Sequence, residues 1–411
     1  MSRVIATDIH PGRGAVLVVI VAGCLISLIG FGIRGSFGLY LEPMTVSNGW
    51  SRQTFAFAMA LQNLLWGIGV PVAGAIADRY GPALVIVFGT IVYAIGIAGM
   101  AVSDSGLALQ LSGGLLVGLG VAFTSFSLVL AAIARVVGPE RRSLALGFGA
   151  AAGSLGQVIF SPLTQALISS YGWYDSLLLI SLITLAMIPL AFTLRGAGKA
   201  VGEPDSGQTL GEALSEAMSH RGYVLLTIGF FVCGFHVAFM VVHFPAYVTD
   251  LGLSPHVGAY ALSIVGLVNI FGAFMSGAIG QRFSKKMSLS VIYLGRALVI
   301  VALLMAPARD LTIYLFAASM GLLWLSTVPL TTGIVAQIFG LKFMATLFGI
   351  VFFGHQLGSF IGVWMGGVIY DRTGSYDLMW WAAVILAVFT AILHLAIDEK
   401  PVPRLALGEA E

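Results

Sequence analysis

Arg34 and Arg296 stand inside long apolar stretches of the chain, and no acid does. All eighteen Asp and Glu residues fall in loops, at the termini or in the last turn of such a stretch, with Glu42 and Asp250 approaching closest. An unpaired charge in hydrocarbon costs from a few to more than about ten kcal/mol, so it must face a wet cavity, a neighbouring helix or a ligand. Arg34 lies past the middle of its stretch. Its guanidinium can hold a carboxylate through two parallel hydrogen bonds; its alternative is to snorkel outwards or to reach Glu42. Arg296, near the middle of a later stretch, is expected to bond carbonyls or polar side chains of an adjacent helix.

Histidines are the other buried groups that can do chemistry. His236 and His243, seven residues apart, share one helical face, and His355 sits beside Gln356 in a later stretch. With no acid in the membrane, His236, His243 and His355 are the candidates to carry a proton near neutral pH. Each also reads as a neutral imidazole bonded to a neighbouring helix. Amides complete the inventory: Gln62 and Asn63 with Trp66, then Asn269, and later Trp324 with Thr327. One amide inside a membrane is a modest structural bond, but several polar anchors among aromatic walls make a small-molecule site. The expected substrate contacts are Arg34, Asn63, His236, Asn269 and His355. The chain carries no nucleophile motif, phosphate-binding glycine loop or metal-ligand spacing, so neither enzyme chemistry, ATP-driven transport, a cofactor nor a metal is expected.

The elements that must position these residues are membrane helices. The chain of 411 residues is 58% hydrophobic and 9% charged, against about 25% charged in a soluble domain. Apolar runs longer than about 18 residues recur along it, each enough to cross a bilayer. A net charge of +2 argues against a nucleic-acid partner. Cys24 and Cys233 both lie in apolar runs and read as packing residues. The polar start, Met1 to Arg13, precedes an apolar run too long for a signal peptide, which reads as a retained first span.

Polar and Gly/Pro clusters divide the chain into twelve spans. Spans one to six are expected near 14–40, 53–77, 83–102, 107–134, 143–169 and 173–194. Spans seven to twelve are expected near 222–248, 256–280, 287–306, 311–339, 343–369 and 377–397. The long polar connection at 195–221 separates a first bundle (1–194) from a second (222–411, with a short tail). With the N-terminus inside, the cytoplasmic segments hold Arg3, Arg13, Arg79, Arg135, Arg141, Arg142, Arg195, Lys199, Arg221, Arg282, Lys285, Lys286, Lys342, Lys400 and Arg404. The opposite side keeps Arg52, Arg309 and Arg372. That asymmetry places both termini and the linker in the cytoplasm. The halves also echo each other, in Gly74-Ala-Ile-Ala-Asp78-Arg79 after span two and Gly277-Ala-Ile-Gly-Gln281-Arg282 after span eight. The expected fold is an all-α membrane protein of two pseudo-symmetric six-helix bundles with a site between them.

Twelve spans, the central loop and Gly74-x-x-x-Asp78-Arg79-x-Gly81 resemble the major facilitator superfamily. The resemblance implies a conformational latch in Gly74, Asp78 and Arg79, weaker in the second copy, where Gln281 replaces the acid. It also implies that spans one and seven line the cavity and that span nine stands outside as a support. Gly149-x-x-x-Gly153-x-x-Gly156 with Pro162 reads as close packing of span five. Finer motifs resemble the monocarboxylate and oxalate/formate antiporter-like branch: Gly49-Trp50-Ser51-Arg52, His243 with Asp250-x-Gly252, and Gly367-Val-Ile-Tyr370-Asp371-Arg-Thr-Gly374-Ser-Tyr376. Carriers of that branch hold the carboxylate with a cation in the second half, often in helix eight. Here span eight offers Asn269 instead, which shifts the role to Arg34, Arg296 or a histidine.

The expected function is secondary transport of a small organic anion, such as a monocarboxylate, by alternating access with proton coupling, as symport or antiport. The expected setting is a bacterial-type inner membrane, with the bilayer around a monomer. Two other readings are an exporter of amphipathic drugs or metabolites, and a non-transporting membrane sensor on the same fold.

Overall fold

The computed structural model describes residues 13–137, 139–196, 208–340 and 342–408. Arg3, Lys199 and residues 197–207 of the expected linker lie outside the described residues. Among the described residues every regular element is helical. Eleven segments are long and apolar enough to cross a membrane. One of them, Ala151–Arg195, has 45 residues, about 68 Å of helix and twice the hydrocarbon thickness. It turns back at Gly172, whose φ of 81° and ψ of 168° belong to a region open almost only to glycine. The segments therefore make twelve crossings.

The first span runs further than its sequence suggests. Helix Arg13–Ser36 passes through a tight turn at Phe37–Tyr40 into helix Leu41–Asn48. Pro43 falls in the first turn of that last piece, where it costs no hydrogen bond. Gly49, at φ 64°, ends the helix in the left-handed conformation. Ser51 then opens span two, Arg52–Tyr80, its hydroxyl accepting from the Thr54 N–H at 3.3 Å.

Spans four and ten are broken in mid-course. Span four has a wide turn at Gln110–Leu116, a helix Val117–Phe123, a break at Thr124 and Ser125, and a helix Phe126–Val136. Span ten is Asp310–Leu323 followed, after Trp324, Leu325 and Ser326, by Thr327–Phe339. A break frees backbone groups that lipid cannot satisfy. In span ten the freed groups are answered by two buried polar side chains. Arg296 donates from Nε and Nη2 to the Leu323 carbonyl, at 3.2 and 2.8 Å, and from Nη2 to the Trp324 carbonyl. Asn269 Oδ1 accepts from the Leu325 N–H at 2.9 Å. Arg296, 1% exposed, is thus a support that holds a broken helix.

Packing falls into two large clusters. One gathers buried residues from Ala217 to Val402. The other gathers Val19 to Leu194 and takes in Ala238, Val242, Ala246 and Val363 from later spans. Glycines permit the closest approaches. A Cβ on Gly156 of span five would lie 2.0 Å from the Leu28 carbonyl of span one, in line with the expected packing motif. A Cβ on Gly234 of span seven, Arg221–Asp250, would lie 1.8 Å from the His355 carbonyl of span eleven, Met344–Thr373.

Replacing Arg296 with Met strands two carbonyls, at about 1–3 kcal/mol for each buried group left unsatisfied. The purified R296M protein is expected to melt several degrees below wild type. Arg309→Met, at an exposed loop position, is expected to melt with wild type.

Candidate functional site

Arg34 lies in the last turn of helix Arg13–Ser36 and is 9% exposed. Its Nη2 donates to Asn63 Oδ1, and its guanidinium carbon stands 4.3 Å from the Trp66 ring centre. Asn63 is itself pinned, its Nδ2 donating to the Met59 carbonyl at 2.8 Å, so the amide oxygen is held toward the arginine. Arg34 Nε has no partner. No carboxylate among the described residues pairs with it. Glu42, the acid within sequence reach, instead accepts from the Thr249 hydroxyl at 2.6 Å. Beside Arg34 is a cavity of about 20 Å³, whose walls include Ser27, Gly30, Trp66, Thr124 and Ser125. That is room for about one water.

The second half reaches this place through span eleven. Gln356 Nε2 donates to the Asn63 backbone carbonyl at 3.2 Å, and Gln356 Oε1 accepts from His355 Nδ1 at 3.0 Å. The His355 ring stacks on Phe352 at 5.7 Å, and Phe352 meets the Trp66 ring edge-on at 5.4 Å. Of the residues singled out from sequence, Arg34, Asn63 and His355 therefore come together, joined by Gln356 and Trp66.

His236 and Asn269 lie elsewhere. His236 Nε2 donates to the Ala383 carbonyl of span twelve, Asp377–Leu395, at 2.9 Å. Asn269 spends its oxygen on the break in span ten and donates from Nδ2 to Ser154 of span five at 2.9 Å. His243 is bonded at both nitrogens. Nε2 meets the Val363 carbonyl at 2.8 Å and must donate, so Nδ1 accepts from the Tyr376 hydroxyl at 2.9 Å.

That tyrosine belongs to a lock joining the two halves at one end of the molecule. Arg52 donates to both oxygens of Asp250, at 2.6 and 2.7 Å, and to the Tyr376 hydroxyl at 3.1 Å, with its guanidinium 3.7 Å from the Tyr370 ring centre. Tyr370 donates to Asp250 at 3.2 Å. Asp371 accepts from the backbone N–H groups of Arg52 and Gln53, at 3.0 and 2.8 Å, placing negative charge at the N-terminus of span two. The three short motifs quoted above as branch features are one contact in space. Sequence reading did not unite them, although an arginine opening span two and an acid ending span seven fall on the same side of the membrane.

Away from the lock the halves part. A Cβ on Gly67 of span two would lie 2.8 Å from Gln356, and one on Gly266 of span eight, Pro255–Arg282, 2.9 Å from the Ser154 carbonyl. Two to three turns further on, on the same helix faces, Gly74, Gly277 and Gly349 each meet nothing within 4 Å. Asp78 and Arg79 are exposed there.

A transmembrane helical fold closed at one end and parted at the other, with a buried cation between, defines a membrane carrier. The Major Facilitator Superfamily model matches residues 22–363, and the chain belongs to that family. It is a multi-pass membrane transporter. It is 26% identical to monocarboxylate transporter 13 of Bos taurus over 368 residues, covering 89% of this chain and 85% of the relative. It is 25% identical to the oxalate:formate antiporter of Oxalobacter formigenes over 400 residues, covering 93% and 89%. Its fold matches a bacterial homologue of the human lysosomal transporter Spinster in an inward-facing, occupied conformation, with a TM-score of 0.73 and 15% identity over 92% of this chain and 95% of that one.

In a background with Cys24 and Cys233 replaced, Ala246→Cys, one turn before Asp250 and buried, is expected to react slowly with a membrane-impermeant maleimide. Arg52→Gln and Asp250→Asn should each raise that rate severalfold, and the double variant little further. Unchanged labelling would show that the closed end does not depend on this pair.

Proposed function

We propose that this transporter carries a small organic anion, a monocarboxylate, across a bacterial-type inner membrane by alternating access, coupled to protons. The observation that carries the reading is Arg34, a buried cation in mid-membrane whose ligands are a neutral amide and an indole face. An anionic cargo supplies the missing charge, with the guanidinium as its anchor and Asn63 as the group that orients it. The names of two relatives, a monocarboxylate transporter and an oxalate:formate antiporter, support the same cargo class.

In this reading a bundle of residues 1–194 rocks against one of 222–411, joined by the linker 195–221, as monomer and with both termini cytoplasmic. The positive-inside asymmetry then makes the locked end the outer one and the parted end cytoplasmic, an inward-facing state. Gly74, Asp78 and Arg79, the residues of the proposed latch, lie on the parted end. His355 is the best-placed proton carrier, two bonded residues from Arg34 through Gln356 and Asn63; alternatively the acid brings its own proton. His243, bonded at both nitrogens beside the lock, and His236, turned to span twelve, are farther from the anchor.

Proteoliposomes with an imposed pH gradient test the proposal by uptake of labelled acetate, lactate and oxalate. Arg34→Gln is expected to lower initial uptake at least tenfold, and full activity in that variant would sink the anion assignment. His355→Gln is expected to keep exchange of anion for anion while losing the acceleration by the pH gradient. Retained pH drive in that variant would move the proton to the cargo.

A further inference from the structure

The two broken spans treat their open ends differently. Span ten is answered from within the protein by Arg296 and Asn269. In span four, Ser125 stands at the N-cap of helix Phe126–Val136 but its side chain caps no backbone N–H, its hydroxyl bonding instead to that of Ser127 at 3.0 Å. The first-turn N–H of Leu128 is taken by the Ser125 carbonyl at 3.0 Å, and the helix N-terminus carries the positive end of its dipole. Ser125 and Phe126 line the same small cavity as Arg34, Trp66 and Ser27.

Three donors on those walls are buried without a partner: Arg34 Nε, Trp66 Nε1 and Ser27 Oγ. Their residues are 9%, 9% and 3% exposed. Ser27 and Arg34 lie two turns apart on one helix face. Side chains of a helix lean toward its N-terminus, so the guanidinium swings back over Gly30 toward the level of Ser27. Trp66 comes from span two and lies beneath the guanidinium. Several buried donors around one cavity, with no acid among its walls, make a receptor for a ligand that only accepts hydrogen bonds.

We propose that this cavity is a carboxylate cradle built entirely in the first half of the chain. Arg34, Trp66 and Ser27 donate to the anion against the N-terminus of helix Phe126–Val136, and Phe352 of span eleven, edge-on to Trp66 but not itself a wall of the cavity, backs the indole from the second half. This rests on the reading of Arg34 as an anion anchor. It departs from the branch this chain resembles, where the cation comes from the second half: here span eight presents Asn269, already bonded on both sides. The anion accordingly stays with the first half as the halves rock, and Phe352 withdraws from Trp66 to release it.

The test is thermal stabilisation of the purified full-length protein by acetate, formate and lactate at fixed ionic strength. The ligand-free melting temperature serves as the check on folding of each variant. Trp66→Phe keeps the ring and removes only the N–H; Ser27→Ala removes a hydroxyl on a different helix. Each is expected to raise the half-saturating concentration about tenfold, a hydrogen bond to a charged group being worth about 1.5–3 kcal/mol, with little change in ligand-free melting. Arg34→Gln should abolish stabilisation, and Phe352→Ala should weaken it less than either donor variant. If Arg34→Gln abolishes binding while Trp66→Phe and Ser27→Ala bind as wild type, the cradle is wrong and the anchor stands. Normal binding in Arg34→Gln, or no stabilisation of wild type by any of the three acids, overturns both.

Discussion

Hydrocarbon offers no hydrogen bonds, so every charge and every interrupted turn inside this molecule must be answered by the protein or by what the protein binds. That constraint explains why the two buried arginines end differently. Arg296 is largely spent: the break in span ten leaves carbonyls in search of donors, and Nε and Nη2 supply them, leaving Nη1 without a partner. Arg34 meets one amide oxygen and an aromatic face, with Nε unanswered. The broken helix beside it turns the positive end of its dipole, not a row of carbonyls, toward the same cavity. One broken helix is therefore closed by its own protein, while the other faces a cavity short of acceptors.

The same constraint sorts the contacts between the halves by depth. The strong charged contacts cluster at the end where Arg52 and Asp250 meet. Their side chains are 12% and 26% exposed, so neither ion is fully stripped of water. Deeper in, the halves touch through neutral groups: Gln356 on the Asn63 carbonyl, Asn269 on Ser154, and Phe352 on Trp66. His243 connects the two regimes, since Tyr376 accepts from Arg52 and donates to its imidazole.

Much of this was legible in the sequence, for a reason tied to the solvent. A bilayer demands runs of about twenty apolar residues, so the spans and their number could be read from composition alone. The breaks could not. Thr124 and Ser125, or Trp324 to Ser326, are small interruptions in apolar runs, and hydropathy does not distinguish a kinked helix from a straight one. Arg34, Asn63 and His355 could be picked out as polar residues in the wrong solvent. That they meet one another, while His236 turns to span twelve and Asn269 to span ten, depends on helix rotation, which no period in these almost uniformly apolar spans reveals. The first span overran its expected end because Pro43 reads as a breaker without knowledge that it falls in a first turn.

The neutrality of the mid-membrane contacts fits a carrier better than a rigid scaffold would. Hydrogen bonds between membrane helices contribute only about 0.6–2 kcal/mol each, and two states that interconvert must differ by no more than a few kcal/mol. A buried ion pair between the halves would have to be broken in hydrocarbon once per cycle, leaving two naked charges. An amide on a carbonyl and two aromatic edges can part at far lower cost. Of the two unmatched cations, Arg296 is held by the carbonyls of span ten and Arg34 alone lines a cavity; in the proposed cycle the energy that matters is that of filling or emptying it.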